Sequence, residues 1–134
     1  MFCREHVARL RDHEPAFHEK GASLAAVGLG DADYARAFRQ ESGITFPLLI
    51  DEHRLAYRAA GLRSASLLHL LRRDNVAARA RARASGFRQQ KLGKNPFQLG
   101  GSFIFAPGNA DRFAHLNRTF SDDASPDALL AALA

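Results

Sequence analysis

Residues 23–51, SLAAVGLGDADYARAFRQESGITFPLLID, decide the fold. The run SLAAVGLG is short, continuously apolar and ends in glycines, the pattern of a buried strand. Asp31 then stands where a helix needs an N-cap, followed by ADYARAFRQESG with Tyr34, Ala37, Phe38 and Glu41 in helical register and Gly43 as the stop. FPLLID reads as a second buried strand, with Pro47 near its start, where a missing backbone donor matters least.

The flanks extend the alternation. Upstream, Arg4 to Lys20 place Val7, Leu10 and Phe17 at helical spacing, closed by Gly21. Pro15 lies inside this run, and its missing N–H and its ring predict a kink near Asp12 or His13. Downstream, EHRLAYRAAGL returns to the helical period. Helix, strand, helix, strand, helix is the order of an α/β protein with a parallel sheet.

Beyond residue 64 the character changes. Ser64 to about Ala84 keeps a helical pattern, and Gly86, Gly93 and Pro96 break the chain into a loop. GSFIFAPGNADRFAHL then forms two β-rich runs around Pro107, Gly108 and Asn109, an antiparallel hairpin. SPDALLAALA makes a last helix with Ser125 as N-cap, Pro126 at the first helical position and Asp127 in the first turn.

Composition narrows the function classes. The chain has 134 residues, 46% hydrophobic and 25% charged, which is globular and of single-domain size, so one domain over 1–134 is expected. One cysteine excludes an internal disulfide and a cysteine-only metal site, and with no secretory or membrane-spanning pattern a cytoplasmic, non-membrane protein is expected. The net charge of +5 is concentrated between Arg72 and Lys94, where eight cations meet one acid. Such a stretch suits the solvated face of an Ala-rich helix, and nucleic-acid binding is the alternative. No aromatic residue alternates with these arginines as single-strand stacking requires.

Few motifs carry chemistry. GLGDAD lacks the third glycine and the Lys-Ser/Thr of a phosphate loop, so Gly28 and Gly30 are read as strand terminators. His13 and His18, five residues apart, lie about 140° apart on a helix and do not share a face for a metal. His53, His69 and His115 fall in separate elements, and neither a metal nor another cofactor is expected. Asp122 and Asp123 read as capping and solubilising groups before the last helix. That leaves Cys3, in the first turn of the first helix, where unpaired amides and the helix dipole favour a thiolate. Arg4 and His6 stand ready to add positive charge.

FCREHVARLRDHEPAF, FPLLIDEHRLAYRAAGL and QLGGSFIFAP, in this order, resemble the peroxiredoxin-like proteins of the alkyl hydroperoxide reductase and thiol-specific antioxidant group, in the thioredoxin-like superfamily. The resemblance implies a thioredoxin-like α/β fold, a central mixed sheet flanked by helices, with a basic helical insertion at about 64–94. In that group the helix follows a strand ending Cys-Pro-Phe-Cys, and Cys3 matches the second cysteine. The strand itself precedes Met1 in this reading, so the first strand is expected to be missing from the sheet. Cys3 is then the peroxide-attacking residue, and backbone groups of Leu99, Gly100 and Gly101 line the cleft. Gly100 stands where the group carries an arginine beside the thiolate, which leaves Arg4 and Arg118 to take that part.

With a single cysteine, turnover needs an outside thiol such as thioredoxin, glutathione or a second subunit, so a thiol reductant, a peroxide substrate and a possible homodimer are the expected partners. The alternative is a thioredoxin-fold binding or scaffold domain without redox activity.

Overall fold

The computed structural model describes residues 2–64, 80, 81, 84 and 98–134. Helix α1 (Phe2–Asp12) and helix α2 (Glu14–Glu19) come from the single run read in the sequence. The chain breaks between them at His13, and Pro15 sits in the first turn of α2, where its missing donor costs nothing. The expected kink is therefore a full break between two helices.

Strand β1 (Ala26–Gly28), helix α3 (Ala32–Ser42), strand β2 (Leu48–Ile50) and helix α4 (Leu55–Ala59) follow. Asp31 caps α3 by accepting from the Tyr34 amide at 2.9 Å. Gly43 ends it in the left-handed conformation at φ 62°, which costs a glycine nothing. The two strands pair in parallel, with Val27 opposite Leu49, and α3 crosses over between them as the sequence order requires. Both strands are shorter than the apolar runs that contain them.

Strands β3 (Gly101–Ala106) and β4 (Ala110–Leu116) form the expected antiparallel hairpin. Gly108 and Asn109 turn it, both with positive φ, a conformation asparagine tolerates. A register shift after Ile104 leaves Arg112 outside the pairing. Its guanidinium instead bonds the carbonyls of Ala132, Leu133 and Ala134 at the end of helix α5 (Pro126–Ala132). Ser125 caps the start of α5 by accepting from the Ala128 amide at 3.1 Å, as expected.

The described strands form two separate pairs, β1 with β2 and β3 with β4. Ala26 and Gly28 spend their backbone groups on β2: the Ala26 amide donates to Pro47 and the Gly28 carbonyl accepts from Asp51, both at 2.9 Å. Val27 therefore turns its backbone to the opposite edge, where its carbonyl accepts from the Tyr57 hydroxyl at 2.9 Å. This is the edge beside which the family resemblance places a further strand.

Packing joins the two pairs. Phe17, Ala124 and Leu129 form one buried cluster, lined by Leu10 of α1, Ile104 of β3 and Phe113 of β4. Phe38, Ile44 and Phe46 form the other, lined by Val7 of α1 and by Ala26 and Leu48 of the parallel pair. Leu24 touches both. Helix α1 thus lies across the whole molecule, one apolar side chain in each cluster, and that seating fixes where its first turn stands. No described helix is long and apolar enough to cross a membrane. The basic stretch lies outside the described residues except for Ala80, Arg81 and Ala84, which are helical.

Candidate active site

Cys3 is the second residue of α1. His6 follows three residues later, so the two positions are neighbours on the helix surface. His6 is turned toward the hairpin, its Nε2 at 3.5 Å from the Ser102 hydroxyl of β3. Behind it stand His115 of β4 and Asp123, both close enough for their charges to act on the imidazole.

Asp123 is drawn inward. Its Oδ1 accepts from the Asn117 side-chain amide at 2.6 Å, and Asn117 is itself only 4% exposed. Among the described residues the oxygen of that amide, Asn117 Oδ1, is buried with no hydrogen-bond partner. Asp122, by contrast, accepts from the Arg118 amide at 3.0 Å, and its backbone carbonyl lies 2.7 Å from His115 Nε2. The expectation that Asp122 and Asp123 cap the last helix is corrected here: Ser125 is the N-cap, and Asp123 instead accepts from the Asn117 side chain.

The electrostatics follow from burial. Desolvation lowers the pKa of His6 below its ordinary 6.5, reinforced by the charges of Arg9 and His115 and opposed by Asp123 and Glu5. Desolvation raises the pKa of Asp123 above 3.8, and Asp122 adds to this, against His6, the Asn117 hydrogen bond and His115. The balance of these effects favours the neutral imidazole over the imidazolium at His6.

Arg4 is engaged elsewhere. It pairs with Glu41 of α3, and its guanidinium lies 5.7 Å from the centre of the Phe38 ring, a cation–π contact. Gly100 uses its carbonyl to accept from the Asn117 amide at 3.0 Å, and Leu99 donates its amide to the Arg63 carbonyl. Gly101 opens β3 in a tight place: a Cβ there would stand 2.8 Å from the His115 carbonyl oxygen and 2.7 Å from Leu62 Cδ2. Any side chain would push the hairpin apart, so glycine is required there by packing.

An open cleft of about 520 Å³ lies on this side, lined by Arg63, Ala114, His115, Leu116, Arg118 and Asp122. Of the residues expected from the sequence, Arg118 borders it, and His115 connects it to the His6 and Asp123 cluster. The structure therefore brings His6 together with Ser102, His115, Asn117 and Asp123, and leaves Arg4 on the far side of α1, against α3. Sequence reasoning missed Ser102, Asn117 and Asp123 as members of a site. Nothing in SDDASPD marks its second aspartate as the partner of Asn117. Among the described residues no group of three or more His, Cys, Asp or Glu side chains is placed to hold a metal ion.

Parallel and antiparallel strand pairs flanked by helices, with a cysteine in the first turn of the leading helix, define a thioredoxin-like α/β protein of the peroxiredoxin-like type. The family model described as AhpC/TSA antioxidant enzyme matches residues 9–119, most of the chain, and the chain belongs to that family. No curated protein and no solved structure matches it.

Proposed function

We propose that the chain is a thiol-dependent hydroperoxide reductase, acting as one domain over residues 1–134, with Cys3 as its nucleophile. One observation carries this reading within an antioxidant-enzyme family: the chain's one thiol belongs to the first turn of α1, a single turn ahead of the half-buried His6, which lies near Asp123. The family match begins at residue 9, so the role of Cys3 rests on its place in the helix and on the sequence motif.

The unpaired amides at the start of α1 favour a thiolate over a thiol. The sulfur attacks the terminal oxygen of a hydroperoxide, the O–O bond breaks, and Cys3 becomes a sulfenic acid while the peroxide leaves as alcohol or water. A second thiol, from glutathione, thioredoxin or another copy of the chain, condenses with the sulfenic acid, and a further thiol returns Cys3 to its reduced form. The cleft bounded by Arg63 and Arg118 offers a cationic rim for the peroxide or the reductant.

The test is peroxide consumption by purified protein supplied with a thiol reductant. The wild type consumes hydroperoxide catalytically and Cys3→Ser does not. Equal consumption by both would end the proposal.

A further inference from the structure

We propose that the cleft beside β4 is a binding site for a small organic acid, its carboxylate held by Arg63 and Arg118 and its apolar part laid on Ala114 and Leu116. The inference goes beyond the thiol chemistry and holds whether or not Cys3 reacts.

The cleft is built from fixed backbone. Phe113 of β4 lines the core cluster, so its alternate neighbours Ala114 and Leu116 share the opposite face of the hairpin. Leu116 pairs with Gly101 of β3, where Leu62 Cδ2 lies 2.7 Å from the position a Cβ would take. Leu62 fills the room that the glycine leaves, and Arg63 follows it directly at the cleft wall. The Arg63 carbonyl is held by two donors, the Leu99 amide at 2.9 Å and Gln98 Nε2 at 3.0 Å. Just past β4, the Arg118 amide donates to Asp122 Oδ2 at 3.0 Å. Both arginines therefore extend from anchored main chain.

The lining decides what the cleft takes. Its volume of about 520 Å³ lies within the roughly 300–1,000 Å³ of small-molecule pockets. Leu116 is 37% exposed there, an apolar surface ready to be covered. Guanidinium groups match a carboxylate through two parallel hydrogen bonds, which an ammonium cannot do. Asp122, the acid of the lining, is tied into its own surroundings: Oδ2 accepts from the Arg118 amide and Oδ1 lies 3.4 Å from His115 Nε2. His115 Nε2 also lies 2.7 Å from the Asp122 carbonyl oxygen, so the imidazole and the carboxylate form one wall. Two arginines against one aspartate leave a surplus of one positive charge. That surplus suits a monocarboxylate, whereas a dianion brings a second negative charge up to Asp122 without a further cation to meet it.

The experiment is an amide NMR titration of the full chain at neutral pH with hexanoate, with hexanamide as its uncharged analogue and with succinate as a dianion. Hexanoate is expected to saturate with a Kd on the order of 1 mM or below, and to shift the amides of Arg63, Leu116 and Arg118 most. Hexanamide is expected to bind about 10-fold more weakly, and Arg63→Gln and Arg118→Gln each to weaken hexanoate by about the same factor. Arg63→Lys restores only part of the loss, because it returns the charge without the fork.

Equal affinity for hexanoate and hexanamide, shifts centred away from the cleft, or hexanoate binding unchanged in both glutamine variants would overturn the proposal. Tighter binding of succinate than of hexanoate would overturn the assignment to a monocarboxylate. Should a variant fail to fold, the wild-type ratio of hexanoate to hexanamide affinity decides, and a ratio near one ends the proposal. The same titrations run on Cys3→Ser separate this site from the peroxidase reading, since binding there does not require the thiol.

Discussion

A few residues stand in environments that oppose their ordinary ionisation. His6 sits below its usual pKa and Asp123 above, each mainly through burial. For stability the signs are opposite. The unfolded chain binds a proton at His6 from about pH 6.5 downward and the folded chain does not until lower pH, so stability is lost as pH falls below 6.5. Asp123 stays protonated in the folded chain above its ordinary 3.8, so its contribution is lost as pH rises from there through its raised value. Urea midpoints measured between about pH 7 and about pH 5.5 are therefore expected to fall in the wild type and to fall less in His6→Asn. An equal fall in both would mean that burial of His6 does not govern the acid side.

Secondary elements were largely legible in the sequence where local chemistry decides them. Asp31, Gly43, Ser125 and Pro126 all stand at the helix ends they were expected to mark, because a cap is a contact among neighbours in the chain. The strands came out shorter than their apolar runs, since ladder length depends on the partner strand, which local pattern does not contain. Asp123 was misread for a related reason: its partner Asn117 belongs to the end of another element, and no spacing rule links them. Edge pairing yields an element-scale prediction. The Ala26 amide donates into the β1–β2 ladder and the Val27 amide faces the opposite edge. Hydrogen exchange should therefore be slow at Ala26 and markedly faster at Val27. Equal protection would show that Val27 has a backbone partner.

Over the whole molecule, α1 and Leu24 join two strand pairs that share no ladder. The side chain that most concentrates this joining is Phe17, 2% exposed, in the cluster that gathers Leu10, Leu24, Ile104 and Phe113 from both halves. Phe17→Ala is expected to cost about 3–5 kcal/mol, lowering the thermal midpoint and loosening the hairpin from α1 together. A variant that melts within about 0.5 kcal/mol of the wild type would mean the halves hold together by other contacts.

The α/β class and the peroxiredoxin-like resemblance were both available from the alternation of apolar runs and three ordered motifs, and the family match over residues 9–119 agrees with them. What the sequence did not contain was the inward turn after β4 that puts Asp123 and Asn117 behind His6.

The central claim is that Cys3 is the reacting residue of a hydroperoxide reductase, and the most direct test is its second-order rate constant with hydrogen peroxide at neutral pH, set beside that of free cysteine. The account predicts oxidation faster than free cysteine by at least about 10²-fold, with a trappable sulfenic acid on Cys3. A rate equal to that of free cysteine, in folded protein, would contradict it.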